Sequence, residues 1–255
     1  MIEQLILTSD HNMAPSKAFL LGISGPSSSG KTTLARLLRD IIPNSYILHE
    51  DDFYKTDADI PIDPKSGLQD WDCLESLNLP ALEAALKHIK ATGALPEDLE
   101  SQEDKNDVGQ VEVDEGVVAE LKEKVRAGVR VAIIDGFLLY SNEMSSIREL
   151  FDAKLFLRTD YETAKTRREA RSGYVTLEGF WADPPGYVDK IVWPNYVKDH
   201  AFLFQDGDVE GEVDRDVANR LGIQVMPKTA KGYMTECLKW AYRAIEASLS
   251  ELKGS

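Results

Sequence analysis

The stretch LLGISGPSSSGKTTLARLL, residues 20–38, determines the fold class of this chain. Its centre, residues 25–32, matches the pattern G-x-x-x-x-G-K-[ST], which forms a phosphate-binding loop when a strand precedes it and a helix follows. Residues 18–24 are an apolar run that ends at a polar residue before Gly25, and they predict a buried strand. Leu34, Leu37, Leu38 and Ile41 follow at helical spacing. Both flanking elements are therefore predicted, and the loop is expected to hold a phosphate group.

The residue types of this loop each suit phosphate binding. Gly25 and Gly30 allow the backbone to turn so that successive N–H groups point at an anion. Lys31 can reach the β- and γ-phosphates of a nucleotide, and Thr32 can offer its hydroxyl to Mg²⁺. A chance Gly/Ser-rich loop is the alternative. The predicted nucleotide-binding residues of the loop are Gly25, Ser27, Ser28, Ser29, Gly30, Lys31, Thr32 and Thr33.

Strands and helices alternate along most of the chain. Besides 18–24, strands are predicted at 45–53, 129–140 and 153–159, with possible late strands at 200–207 and 223–227. Helices are predicted at 79–92, 116–128, 160–171 and 229–253. This alternation indicates an α/β fold of the P-loop NTPase type, in which helices flank a mostly parallel sheet. A length of 255 residues favours a single domain, 1–255.

The charge balance excludes some classes of partner. The chain holds 29 basic and 44 acidic residues, for a net charge of −15. Nucleic acids and anionic membranes are also negatively charged, so neither is expected as a partner. Residues 97–115 contain nine acids and one lysine, and this composition predicts a solvated, mobile insertion.

Targeting signals and cross-links are not expected. Two cysteines, Cys73 and Cys237, are too few for a disulfide scaffold and predict reduced thiols. No apolar run approaches the length of a membrane span, and residues 1–17 lack the basic start and apolar core of a signal peptide. These features predict a cytoplasmic protein, with the nucleus left open.

Two groups of carboxylates follow predicted strands. Asp135 ends the apolar run VAIID, which is the Walker B pattern of a residue that helps to hold Mg²⁺. Asp51 and Asp52 follow the second strand, at the edge of the sheet where open α/β folds bind ligands. A kinase that acts on a hydroxyl needs a carboxylate there to align the hydroxyl and to accept its proton. The alternatives are an ordinary strand-end acid and two solvated loop acids.

A local basic cluster occurs in the helix predicted at 160–171. Lys165, Arg167, Arg168 and Arg171 lie within seven residues of an otherwise acidic chain. At helical spacing Arg167 shares a face with Arg171, and Lys165 with Arg168. Guanidinium groups on a mobile element can close over phosphates and neutralise developing charge. A solvated basic face is the alternative, and the phosphate loop in the same chain favours the lid.

Six stretches, taken together, resemble the nicotinamide riboside kinases, small P-loop kinases that are similar to uridine–cytidine kinases and phosphoribulokinases. They are GPSSSGKTT (25–33), EDDFYK (50–55), LQDWDCLESLN (68–78), IIDGFLLY (133–140), YETAKTRREAR (161–171) and PPGYVDKIVWPNYVK (184–198). They occur in the order seen in that family. The resemblance covers a core at 18–200, implies a helical lid, and makes 97–115 look like an insertion relative to shorter members.

The resemblance implies a role for each matching residue. Asp51 is implied to face the ribose 5′-hydroxyl as the catalytic carboxylate, with Lys31 at the phosphates. Asp72 is implied to bind ribose hydroxyls, helped by Arg168 from the lid. The remaining implied contacts are Arg167 and Arg171 at the nucleotide, Thr32 and Asp135 at the metal, Trp71 and Tyr174 on the two faces of the nicotinamide ring, and Phe53 and Tyr54 in the riboside site.

The sequence departs from the family pattern at three places. Asp135 stands where some members have Glu, so its reach to a metal ion is shorter. Trp71 stands where some members have Tyr. RSGYV, 171–175, holds one residue more than the family pattern.

The chemistry of the acceptor supports the same interpretation. Nicotinamide riboside carries a fixed positive charge on its pyridinium ring, and Asp70, Trp71 and Asp72 offer an aromatic face between two carboxylates. We therefore expect an enzyme that uses ATP and Mg²⁺ to phosphorylate the ribose 5′-hydroxyl of nicotinamide riboside, giving nicotinamide mononucleotide for NAD synthesis. A uridine–cytidine-type nucleoside kinase is one alternative. A GTPase-like switch is another, although the chain has no N-K-x-D stretch for reading guanine.

Overall fold

A parallel sheet lies at the centre of the computed structural model of this chain. The model describes residues 18–254 except 104, 105, 107, 108, 110, 126–128 and 177. Residues 1–17, predicted to contain no signal peptide, lie outside the described residues. The strands are β1 (Phe19–Ser24), β2 (Ser45–His49), β3 (Val131–Asp135), β4 (Ala153–Phe156), β5 (Tyr174–Val175), β6 (Phe180–Trp181) and β7 (Ile223–Val225). Five of these described strands form the sheet in the order β2-β3-β1-β4-β7, and every neighbouring pair is parallel.

The register of the sheet brings polar strand ends together. Asp135 at the end of β3 pairs with Ile23 of β1 on one side and with His49 of β2 on the other. All three strands run in the same direction, so the segments that follow them leave the sheet at one edge. The phosphate loop, the acidic turn after β2 and the Walker B acid therefore meet there, as the sequence predicts.

Helices cover both faces of the sheet. They are α1 (Lys31–Ile41), α2 (Leu79–Thr92), α3 (Glu115–Lys124), α4 (Ser145–Arg148), α5 (Tyr161–Glu169), α6 (Trp193–His200), α7 (Arg215–Leu221) and α8 (Met234–Gly254). Leu21 and Ile23 of β1 pack in one hydrophobic core with residues of α1, α3 and α8, and Leu20 packs in a second core with residues of α2 and α6. Alternate side chains of a strand point to opposite faces, so the apolar strand is buried on both sides. The predicted α/β class is confirmed.

Several element boundaries differ from the predictions. The strand predicted at 45–53 ends at His49 and continues as a 3₁₀ turn, Glu50–Phe53. The apolar run at 129–140 is extended only over β3. The late strand predicted at 200–207 is wrong, because those residues form two 3₁₀ turns whose apolar side chains Leu203 and Phe204 fill the second core. The strand predicted at 223–227 is confirmed as β7.

The helix of the predicted lid has the cap that the sequence suggests. Asp160 precedes α5, and its carboxylate oxygen Oδ1 accepts the backbone N–H of Thr163 at 2.8 Å. This bond satisfies one of the backbone donors that the first turn of a helix leaves unpaired. The predicted N-cap is confirmed, and it fixes where the lid helix begins.

None of the helices in the described part of the chain is both long enough and apolar enough to cross a bilayer.

Candidate active site

The phosphate loop turns at the two glycines that its sequence indicates. Gly25 and Gly30 have φ angles of 140° and 99°, and Ser28 adopts 61°. A Cβ atom on Gly25 would lie 2.5 Å from the carbonyl oxygen of Leu157, so a side chain there would collide with backbone. Because α1 begins at Lys31 directly after the loop, the unpaired N–H groups of its first turn lie beside the loop. The loop and helix together have the backbone geometry that suits an anion.

Thr32 and Asp135 meet at the end of the sheet. The Thr32 hydroxyl donates to Oδ2 of Asp135 at 2.7 Å, although the two residues are 103 positions apart. Among the described residues, no group of three or more His, Cys, Asp or Glu side chains is arranged to hold a metal ion. Mg²⁺ needs no such group, since it keeps several waters and binds to one or two protein oxygens and to substrate phosphates. The two oxygens fit Mg²⁺.

His49 is a site residue that the sequence analysis missed. Its Nδ1 lies 2.5 Å from Oδ1 of Asp135, and both side chains are buried. Burial lowers the pKa of His49, but the Asp135 carboxylate raises it more, to about 9. The imidazole therefore holds one oxygen of Asp135 while Thr32 holds the other. The contact could have been predicted from the parallel pairing of β2 with β3, which places His49 directly beside Asp135.

The two acids of the turn after β2 have different surroundings. Asp51 lines the main cavity beside Lys31 and Asp135. Burial raises the pKa of Asp51, and neighbouring carboxylates raise it further, while Lys31 opposes them. Asp52 also lines the cavity, but its Oδ1 atom accepts the backbone N–H groups of Gln102 and Glu103, at 2.8 and 3.0 Å. Asp51 is therefore the better candidate for a group that acts on the substrate.

The main cavity is an open cleft of about 1070 Å³ that reaches from the phosphate loop to an aromatic chamber. Of the predicted site residues, it is lined by Ser27, Ser28, Gly30, Lys31, Thr32, Thr33, Asp51, Tyr54, Trp71, Asp72, Asp135, Arg168, Arg171 and Tyr174. Gly25, Ser29, Phe53 and Arg167 do not line it.

Phe53, predicted in the riboside site, lies away from the main cavity. The 3₁₀ turn after β2 rotates this side chain inward, where it is buried in the second core with Leu82 and Leu86 of α2. Gly25 and Ser29 belong to the phosphate loop and shape its backbone. Arg167 is exposed on α5, and its guanidinium donates to the carbonyl oxygen of Ser28 at 3.3 Å.

Arg168 forms the densest polar contact of the lid. It donates to both carboxylate oxygens of Asp72, at 2.8 and 3.0 Å, and to both of Asp183, at 2.6 and 3.3 Å. A further bond of 3.0 Å reaches the hydroxyl of Ser27 in the phosphate loop. Burial raises the pKa of Asp72, and Arg168 counters part of this rise. Arg168 is only 7% exposed, so the alternative interpretation of a solvated basic face does not hold for this residue.

Trp71 is buried among other aromatic rings of the cavity. It is 4% exposed, and its ring lies 5.5 Å from that of Trp181 and 5.3 Å from that of Tyr54. Tyr174 pairs with Trp181 across the β5–β6 hairpin, and its ring lies 5.2 Å from the guanidinium carbons of Arg168 and Arg171. The sequence analysis missed Trp181, which reaches Trp71 only through tertiary contact.

Asp70 does not line the cavity with its neighbours. Both of its carboxylate oxygens accept the side-chain amide of Asn195 at 2.9 Å, and burial raises its pKa. Of the two acids that flank Trp71, only Asp72 lines the cavity with it. Asp70 instead bonds to Asn195 and so connects its loop to α6.

Part of the acidic stretch also belongs to the site. Gln102 and Glu103 line the cavity, and Glu103 is 9% exposed. The prediction of a solvated, mobile insertion is wrong for these residues, because their backbone bonds to Asp52 fold them over the turn after β2. Residues 104, 105, 107, 108 and 110 of the same stretch lie outside the described residues.

Comparison with known proteins identifies the family. A nicotinamide riboside kinase from Schizosaccharomyces pombe is 43% identical over 232 residues, which cover 90% of this chain and 96% of that protein. One from Saccharomyces cerevisiae is 40% identical over 79% of this chain and 85% of its own length. The chain belongs to the nicotinamide riboside kinase family. The human nicotinamide riboside kinase 1 is a more distant member, 31% identical over 71% of this chain and 76% of its own length. No family model matches the chain.

Membership of the nicotinamide riboside kinase family agrees with the two ends of the cavity. One end has a phosphate loop, the paired oxygens of Thr32 and Asp135, and the Asp51 carboxylate, which are the kinds of group that a phosphoryl-transfer enzyme uses. The other end is aromatic and acidic, with Trp71, Trp181 and Asp72 at its walls. A nucleotide and a flat acceptor can therefore bind in one continuous cleft.

Proposed function

We propose that this chain phosphorylates the ribose 5′-hydroxyl of nicotinamide riboside, with ATP as donor and Mg²⁺ as cofactor, and so makes nicotinamide mononucleotide for NAD synthesis. One observation carries the proposal: a single cleft joins the phosphate loop to a chamber with a buried Trp71 and an ion-paired Asp72. The whole chain is proposed to act as one kinase domain, with α5 and the β5–β6 hairpin as its lid.

The nucleotide phosphates are proposed to lie on the loop at 25–32. Backbone N–H groups of the loop and of the first turn of α1 donate to their oxygens. Lys31, whose amine now donates to the carbonyl oxygen of Pro26 at 3.0 Å, turns to the β- and γ-phosphates. Arg171 on the lid is exposed and lines the cavity, so it can reach the same phosphates from the opposite side.

Thr32 and Asp135 would hold Mg²⁺, with His49 fixing the orientation of the Asp135 carboxylate. When bound, the ion neutralises the negative charge that develops on the transferred phosphoryl group. His49 donates to Oδ1 of Asp135, so Oδ2 is left to face Thr32 and the cavity.

Asp51 is proposed to align the acceptor. Its carboxylate accepts a hydrogen bond from the ribose 5′-hydroxyl and directs that oxygen at the γ-phosphorus of ATP. The new O–P bond forms as the bond between the γ-phosphorus and the bridging oxygen breaks. ADP leaves with the bridging oxygen, and the hydroxyl proton passes to Asp51. A raised pKa suits a group that must accept this proton.

The acceptor end of the cleft is proposed to select a cationic ring. Asp72, held by Arg168, accepts ribose hydroxyls, and its charge together with that of Asp51 gives the chamber a negative potential. The face of Trp71 or Trp181 can lie against the pyridinium ring, which gains a cation–π term that a neutral base lacks. Tyr174 lines the same cavity and is a further candidate for the second face.

The proposal is tested by incubating the protein with Mg·ATP or Mg·GTP and a panel of ribosides, and by detecting monophosphates by mass. The panel is nicotinamide riboside, nicotinic acid riboside, uridine and cytidine, and Lys31→Ala is the background control. Nicotinamide mononucleotide as the main product supports the proposal. Preferred phosphorylation of uridine or cytidine would replace it with a nucleoside kinase of the uridine–cytidine type. Nucleotide binding without any phosphorylated riboside would indicate a switch.

A further inference from the structure

The acidic segment around residue 103 folds back onto the turn that carries the proposed catalytic carboxylate. The N–H groups of Gln102 and Glu103 both donate to Asp52, which is the neighbour of Asp51 in that turn. The Glu103 side chain lines the cavity. A segment with these contacts is part of the wall of the site.

Asn106 connects this segment to two other elements. Its backbone carbonyl oxygen accepts a hydrogen bond from the Arg36 guanidinium in α1 at 3.0 Å. Its side-chain Oδ1 accepts the backbone N–H of Val175 in β5 at 2.9 Å. Its Nδ2 donates to Oε2 of Glu103 at 2.6 Å. A carboxamide can accept and donate at the same time, and here both functions are used on different partners.

The bond to Val175 matters because β5 belongs to the lid. Tyr174 precedes Val175, and its ring lies against the guanidinium groups of Arg168 and Arg171. The strand is two residues long and pairs with an equally short β6, so the hairpin has few backbone bonds of its own. The hydrogen bond from the Val175 N–H to Asn106 therefore contributes substantially to the position of the hairpin.

We propose that Asn106 is a positioning residue for phosphoryl transfer, which holds the lid hairpin against α1 and the Asp51 turn. The inference rests on the proposed function and deepens it.

In the productive reaction the riboside oxygen bonds to the γ-phosphorus and ADP leaves. In the competing reaction a water oxygen forms that bond, and ADP and inorganic phosphate are released. A lid that is held in place keeps water out, so Asn106 acts on the ratio of the two reactions.

The test compares three variants. Asn106→Ala removes both side-chain bonds. Asn106→Asp keeps an acceptor for the Val175 N–H but places a carboxylate against Glu103. Glu100→Ala is the matched control, because Glu100 lies in the same acidic segment and is exposed. The measurement is the amount of ADP and of phosphorylated riboside formed in one reaction with Mg·ATP and nicotinamide riboside, with the ATP Kd and the thermal midpoint of each variant measured separately.

In Asn106→Ala we expect the ratio of ADP to phosphorylated riboside to rise, and kcat/KM for the riboside to fall about ten-fold, the equivalent of one or two hydrogen bonds. The Kd for ATP should change less than kcat/KM for the riboside, because the phosphate loop and the first turn of α1 keep their proposed contacts with the nucleotide. Asn106→Asp should show a smaller rise in the ratio, since the bond to Val175 remains. A simple loss of folding would lower the thermal midpoint and all rates without changing the ratio.

An unchanged ratio in Asn106→Ala overturns the proposal, and so does an equal rise in Glu100→Ala. Hydrogen exchange separates this failure from a failure of the proposed function. In the ATP complex the peptide around Val175 should exchange faster in Asn106→Ala than in the wild type, whether or not a riboside is the acceptor. Equal exchange rates would contradict the contact itself. Absence of riboside phosphorylation in the wild type would contradict the function alone.

Discussion

Removing the guanidinium of Arg168 should destabilise the protein far more than removing its neighbour on the same helix. Arg168 is 7% exposed and is bonded to both oxygens of Asp72 and of Asp183. Arg168→Ala leaves two carboxylates in the site without their partner. Breaking a buried ion pair by deleting one side costs about 3–5 kcal/mol, because the remaining charge is uncompensated. At about 2–4 °C per kcal/mol for a chain of this size, the thermal midpoint should fall by about 6–20 °C.

Arg167→Ala is the matched control. Arg167 lies next to Arg168 on α5 but is exposed and makes one long bond, at 3.3 Å, to the Ser28 carbonyl oxygen. Its loss should change the free energy of unfolding by no more than about 0.5 kcal/mol. Thermal unfolding followed by circular dichroism measures both variants against the wild type, without nucleotide or riboside, so that ligand binding does not contribute.

The pH dependence of the Arg168→Ala defect provides a second test. Burial raises the pKa of Asp72, and loss of the guanidinium should raise it further. A carboxyl group whose pKa is raised in the folded state stabilises the fold at low pH and loses that contribution as the pH rises. The difference in thermal midpoint between Arg168→Ala and the wild type should therefore be larger at pH 8 than at pH 5. Equal midpoint losses for the two arginine variants, or a gap that does not depend on pH, would refute the buried ion pair as the contact that holds the lid.

Three further predictions follow from the same site. Asp51→Asn should lower kcat by about 10²-fold with little change in the Kd for ATP, and a near-normal kcat would remove Asp51 from the catalytic role. The pKa of His49 is raised from 6.5 to about 9 by Asp135, so the metal-free protein should lose stability as the pH rises through this range, by up to about 3 kcal/mol. His49→Gln should lack that slope in thermal unfolding, and an unchanged slope would contradict the ion pair. Trp71→Ala and Trp181→Ala should each lower kcat/KM for the cationic nicotinamide riboside by about ten-fold, and kcat/KM for uridine by less. Equal losses for both substrates would show that these tryptophans only pack.

Much of the nucleotide end of the site could be predicted from the sequence, because its parts are local. The phosphate loop, its glycines and the start of α1 are contiguous in the chain, so spacing alone predicts their geometry. Asp135 could be predicted because a buried strand that ends in an acid delivers that acid to the ligand edge of the sheet. The family could be recognised because short motifs in a given order survive where the segments between them differ in length.

The acceptor end depended on the tertiary structure. Arg168 and Asp72 are 96 positions apart, and no local pattern pairs them. Trp181 joins the same chamber through two tertiary contacts, its pairing with Tyr174 in the hairpin and its ring contact with Trp71, which no sequence pattern indicated. Phe53 turned inward because β2 ends four residues earlier than its apolar pattern suggests.

The acidic segment shows most clearly why composition is insufficient. Its excess of negative charge predicts solvation, because a charged stretch cannot bury enough apolar surface to become ordered by itself. The described part is instead ordered by a few directed bonds. Gln102 and Glu103 donate to Asp52, and Asn106 accepts from Val175 and Arg36. Composition averages over residues, whereas these bonds depend on individual backbone groups that come together only after the sheet and lid have formed.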